Sequence, residues 1–112
     1  MTSSATARYD RPMRPAPLLS DPEIASCLAA LPAWQLTDGR LARTVTTRDF
    51  RSALELVTRI ADPADEQNHH PDVAIHWNVV TLTLWTHASG GITERDFRLA
   101  DAIERILSSP RG

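Results

Sequence analysis

The chain contains a single cysteine, Cys27, and four glycines in 112 residues. One thiol excludes an intramolecular disulfide framework and the multi-cysteine zinc patterns, and it suits a reducing compartment. Neither a phosphate-cradling glycine loop nor a dinucleotide fingerprint is present, and no serine or cysteine nucleophile motif can be found. No apolar run approaches the roughly 20 residues of a bilayer span, and the N-terminus lacks the apolar core of a secretory signal. Neither sign of charge predominates: 12 Lys and Arg against 14 Asp and Glu give a formal −2. That balance offers no net attraction to nucleic acid or to an anionic membrane. These absences predict a soluble cytoplasmic domain whose partner is a small molecule or another protein.

The length suits one domain with a two-layer core. Residues 1–19 hold three prolines and three arginines with little apolar periodicity, so they are read as a flexible arm, mobile or draped over the surface, preceding a domain over 20–112. The arm's Ser, Thr and Arg content and its few acids are shared with transit peptides, although the cytoplasmic reading is kept. "SDPE" at residue 20 is a capping box, with Ser20 as N-cap, Glu23 as its partner and Pro22 in the first turn. Ile24, Cys27, Leu28 and Leu31 follow at helical spacing and predict a core stripe that includes Cys27. Trp34 and Leu36 then alternate, Asp38-Gly39 favours a type I′ hairpin turn, and residues 41–46 continue as a second strand.

Helical period returns with Phe50, Ala53, Leu54, Val57, Ile60 and Ala61 on one stripe, running toward Asp62-Pro63, with Ala64 to Asn68 able to add another turn after a kink at the proline. Val73, Ile75 and Trp77, then Val80, Leu82 and Leu84, mark two further strands with a turn near Asn78. On the second of these, Thr81, Thr83, Trp85 and His87 share the opposite, more polar face. Thr93 with Asp96 imitates a second capping box, opening a helix with Leu99, Ala100, Ile103, Ile106 and Leu107 inward. The order αββαββα predicts an α+β two-layer domain: a four-stranded antiparallel sheet with helices packed on one face. The other face must be managed separately, and Trp85 on it predicts partial burial in a subunit interface or under a ligand.

Three of the four histidines fall within "DEQNHHPDVAIHW", residues 65–77. Adjacent side chains on extended backbone diverge, and neither H-E-x-x-H nor a Cys/His finger spacing occurs, so no metal site is predicted. His76 reads as a solvent-facing strand residue. His69, His70 and His87 suit acid/base chemistry, because imidazoles titrate near pH 6.5 and can both give and take protons at neutrality. Asp65, Asn68 and Asp72 flank the pair, and Asp96 follows His87. Carboxylates there could fix imidazole tautomers, while for any one of them a solvated loop is an equal alternative.

"DEQNHHPD", then Trp77, then "THASGGITERDFRLA" together resemble the pterin-4a-carbinolamine dehydratase family: an acid, three residues, His-His-Pro, an aromatic, and a later Thr-His before a Glu-Arg-Asp helix start. The resemblance covers about residues 20–107. It implies an αββαββα subunit that forms homodimers or homotetramers. It also implies loss of water from a 4a-hydroxytetrahydropterin, in the recycling arm of aromatic amino acid hydroxylation, with no metal or redox cofactor. By position it makes His69, His70 and His87 the catalytic residues, with His69 and His87 as the acid/base pair and His70 holding and orienting the pterin and able to share the proton work. Asp65, Asn68, Pro71, Thr86 and Asp96 become substrate-site residues. The alternative that it carries is a protein-binding role, as a dimerisation cofactor in transcription or an assembly factor for a carbon-fixing enzyme. Departures from the pattern are Asn68 for aspartate, Val73 for an aromatic, Asp65 for the longer glutamate, and Trp85 for a small polar residue.

Overall fold

Ser20 caps the first helix as its sequence predicts: its hydroxyl accepts from the Glu23 N–H, and the Glu23 carboxylate accepts from the Ser20 N–H at 2.7 Å. The computed structural model describes residues 15–109; residues 1–14, most of the predicted arm, lie outside the described residues. The elements are α1 (Asp21–Ala29), β1 (Gln35–Thr37), β2 (Arg40–Thr46), α2 (Phe50–Gln67), β3 (Asp72–His76), β4 (Val79–Leu84), a single 3-10 turn (His87–Ser89) and α3 (Glu94–Ser108). All strand pairs are antiparallel, in the order β1-β2-β4-β3. The αββαββα order and the α+β two-layer class are those read from the sequence. No helix among the described residues is long and apolar enough to cross a membrane.

Register decides which residues meet the helices. Leu41 pairs with Leu84, Val45 with Val80 and Ile75 with Val80, so these side chains share the covered face. Val80, Leu82, Leu84 and Leu41 are fully buried there, against Ala53, Leu56 and Ile60 of α2 and Leu99, Ala100 and Ile103 of α3. Arg43 has the same parity but joins Glu104 of α3 at 2.7 Å, and the same carboxylate accepts from Trp34 Nε1 at 2.8 Å. That carboxylate ties β2, the α1–β1 connection and α3 together. Leu36 and Val73 are also on this face, yet they stay exposed because they stand on the edge strands, where the helical layer runs out. The opposite face carries Ala42, Thr44, Ala74, Thr81 and Thr83 and, among the described residues, has no helix over it.

Four predicted core positions and one predicted strand position are corrected. Cys27 is exposed: α1 lies at the margin and turns only Ile24 and Leu28 toward the core, leaving the thiol on the outer shoulder of its stripe. On α2 the buried line is Ala53, Leu56, Ile60 and Ala64, whereas Phe50, Leu54 and Ala61 face out. The helix is apolar over more than one face can bury, and its packing on the sheet keeps Ala53, Val57 and Ile60 of the predicted stripe while Leu56 and Ala64 complete the line. Trp77 is also exposed, as the first residue of the two-residue turn between β3 and β4, with φ +56°.

α2 does not stop at Pro63. The missing proline N–H removes one helical bond, but the following turn is anchored by the buried Ala64 and closed by Asn68 in the left-handed region at φ +50°, ψ +46°. The Asn68 N–H reaches Asp65 O and the His69 N–H reaches Ala64 O at 3.0 Å, the bond pair of a Schellman motif. Asp38 and Gly39 have φ +52° and +73°, as a type I′ turn requires. Residues 16–19 run beside the segment before α3: Leu19 N–H donates to Ile92 O at 3.0 Å, and the Ser89 hydroxyl donates to Ala16 O.

Candidate active site

The left-handed step at Asn68 ends α2 abruptly and separates the two adjacent histidines. His69 turns inward, 8% exposed, while His70 remains at the surface. From β4 the chain passes through Trp85 into a tight loop in which Thr86 O accepts from the N–H groups of Ser89 and Gly90, and Thr86 N–H donates to Gly91 O at 2.8 Å. Gly90 sits at φ +76°, a conformation that glycine adopts without steric cost. His87 is not on the strand, as its parity suggested, but opens the 3-10 turn that follows.

These two chain reversals enclose a cleft of about 400 Å³ lined by Asn68, His69, His70, Pro71, Asp72, Trp85, Thr86, His87, Ala88 and Arg95. Six of the eight predicted site residues are in that lining. Asp65 and Asp96 stand behind it, each holding a histidine. His70 Nε2 lies 2.9 Å from Asp65 Oδ1, both exposed. His69 Nε2 lies 2.6 Å from Asp96 Oδ1, with Asp96 fully buried.

The Asp96 contacts settle the proton inventory around His69. Asp96 Oδ2 accepts from the Thr93 N–H and from the Thr86 hydroxyl, each at 2.9 Å. Thr86 has a single hydroxyl proton and it goes to Asp96, so the 2.8 Å contact between the two threonine hydroxyls is donated by Thr93. A carboxylate only accepts, so His69 donates through Nε2–H and its Nδ1 is the nitrogen left for a substrate. Asp96 is at the same time the capping-box residue of α3, with Thr93 as N-cap. One side chain thereby begins a helix and orients an imidazole.

Arg95 and Trp85 were not among the predicted site residues. Arg95 Nη2 donates to Asn68 O at 2.8 Å and to Gln67 O at 3.4 Å, joining the start of α3 to the end of α2. The Glu-Arg-Asp motif contained the Arg95 signal, because arginine is suited to the free carbonyls at a helix end. Trp85 is half-buried, stacked on His87 with ring centroids 3.9 Å apart and planes inclined at 36°. His76 is exposed and outside the cleft, as predicted. Among the described residues no group of three or more His, Cys, Asp or Glu side chains is placed to hold a metal ion.

Known proteins share this arrangement of chain. The family model for pterin 4 alpha carbinolamine dehydratase matches residues 17–106. A protein of Mycolicibacterium smegmatis provisionally named a pterin-4-alpha-carbinolamine dehydratase is 44% identical over 91 residues, 81% of this chain and 97% of that one. A Thermosynechococcus vestitus protein with the same provisional name is 44% identical over 88 residues, 79% of this chain and 93% of its own. Among solved structures, the transcriptional coactivator/pterin dehydratase from Brucella melitensis superposes with a TM-score of 0.76 at 32% identity, covering 80% of this chain and 98% of that chain. With the matched segment running from before α1 nearly to the end of α3, the chain belongs to the pterin 4 alpha carbinolamine dehydratase family.

Proposed function

We propose that this chain eliminates water from a 4a-hydroxytetrahydropterin to give the quinonoid dihydropterin, by acid/base catalysis through His69 and His87. The observation that carries the reading is the meeting of His69, His70 and His87 at one cleft, with the tautomer of His69 fixed by a buried carboxylate. In the reaction one imidazolium protonates the hydroxyl on C4a as the C–O bond breaks and water departs. The other imidazole takes the proton from N5, and its electron pair forms the N5=C4a double bond. No electrons are lost or gained, so no redox cofactor enters the balance. His70, held by Asp65, orients the pterin together with Asn68, Pro71 and Thr86. The assigned setting is a cytoplasmic homodimer or homotetramer serving an aromatic amino acid hydroxylase.

The test is the decay of freshly generated 4a-hydroxytetrahydropterin with and without the protein. Acceleration is expected, and a His69→Ala/His87→Ala double variant should lose on the order of 10²–10⁴ of it, the usual contribution of positioned proton transfer. Equal decay in all three samples would reject dehydration.

A second reading, a protein-binding role, is favoured by the exposed Phe50 and Leu54 on α2 and by the description of the Brucella melitensis relative as a transcriptional coactivator as well as a dehydratase. Its test is capture of one partner by the wild-type chain and loss of that partner on Phe50→Ser/Leu54→Ser substitution.

A further inference from the structure

Each of the three cleft imidazoles is restrained, but not by the same means. His69 has Asp96 and His70 has Asp65, both through hydrogen bonds from Nε2. His87 is exposed and, among the described residues, makes no side-chain hydrogen bond; its contact is the indole of Trp85.

Trp85 is held in a related way. Among the described residues its Nε1 is buried without a hydrogen-bond partner, so stacking rather than hydrogen bonding fixes the ring. The β2–β4 ladder pairs Leu41 with Leu84, and one step further along that register Arg40 stands opposite Trp85 on the sheet face without helices. The Arg40 guanidinium carbon is 4.2 Å from the indole centroid, within cation–π range. With Arg40 on one side of this contact and His87 against the same indole, the three side chains form a row from the β1–β2 turn to the cleft.

From this row we infer that Trp85 is a positioning residue for His87, itself held by the cation–π contact of Arg40. The assignment rests on the proposed dehydration. A stacked imidazole differs from a hydrogen-bonded one in a useful respect: its ring plane is fixed, while both nitrogens remain free to give or take a proton. Of the three histidines, His87 is the one whose tautomer the protein does not choose. The π surface of Trp85 is already engaged by a guanidinium and an imidazole, which argues for action through His87 and against a platform for the substrate.

Two readouts test the assignment. In steady-state dehydration, Trp85→Ala should lower kcat about tenfold, the equivalent of one aromatic stacking contact, with KM changed less than about twofold. Trp85→Phe, which keeps an aromatic face, should recover most of that loss, and Arg40→Ala should lower kcat about two- to fivefold. In proton NMR the ring protons of His87 should lie upfield, and Trp85→Ala should move them back while those of exposed His76 stay in place. Unchanged kcat in Trp85→Ala, or a raised KM with kcat intact, would overturn the positioning role. Unmoved His87 resonances would overturn the stack itself. Failure of the wild-type chain to turn over substrate would reject the dehydratase reading and the catalytic half of this assignment, with the stack still judged by NMR.

Discussion

The carboxylate of Asp96 caps α3 and, 2.6 Å away, holds the Nε2 of His69. Replacing it by asparagine exchanges one acceptor oxygen for an NH2 group in a site where the histidine, a threonine hydroxyl and a backbone N–H all donate. At least one buried donor then loses its partner, at about 1–3 kcal/mol. Asp96→Asn should lower the urea midpoint accordingly and reduce dehydration by about 10- to 100-fold, as expected when a group that orients a reacting side chain is removed.

Leu56 and Leu54 on α2 should separate sharply. Leu56 is 7% exposed in the core and Leu54 is 44% exposed. Leu56→Ala should cost about 2–5 kcal/mol by loss of buried surface and cavity formation. Leu54→Ala should change stability by less than about 0.5 kcal/mol. Urea unfolding of both variants checks this, and a large Leu54 effect would mean that another molecule covers that stripe.

Two helix-capping carboxylates make stability sensitive to acid. The Ser20 backbone N–H holds Glu23 below its ordinary value of 4.5, and the Ser52 backbone N–H holds Asp49 below its ordinary 3.8. For groups lowered in the folded state, the stabilisation is full above the unfolded values and disappears as pH falls through the folded ones. Melting temperatures measured downward from about pH 5 should therefore fall less steeply in Glu23→Gln/Asp49→Asn than in the parent.

Asn68 has a backbone role that can be separated from any contact with substrate. At φ +50°, Asn68→Ala places an L side chain in the left-handed region and should destabilise by roughly 1–2 kcal/mol. Asn68→Gly should leave stability within about 0.5 kcal/mol of the parent. A rise in KM in the glycine variant, whose backbone conformation is kept, would show that the amide touches the pterin.

Much of this was legible locally. Both capping boxes, the Asp38-Gly39 turn and the element order depend on residues a few positions apart, where spacing fixes geometry. The errors came where distant elements decide. Leu54 and Leu56 belong to neighbouring lines on the same helix, and only the docking of α2 on β4 selects between them. Cys27 has helical spacing toward the core, but α1 lies too far toward the margin to bury it. The Arg40–Trp85 contact follows from a strand register set between residues 45 positions apart. The three histidines were recognisable as a group from their motif, whereas the restraint on each became visible only in three dimensions.

The clasp made by Arg95 and Asp96 also bears on folding order. His69 and Asn68 are joined to these residues across 27 positions of sequence, so the cleft has no assembled form until α3 docks, even if α2 is already helical. Closing a loop of that length has an entropic cost that local helix formation does not. The site is thus a late product of folding, and fraying of the first turn of α3 releases His69 and the end of α2 together. Amide exchange at the start of α3 would then report how often the folded chain is without an organised cleft.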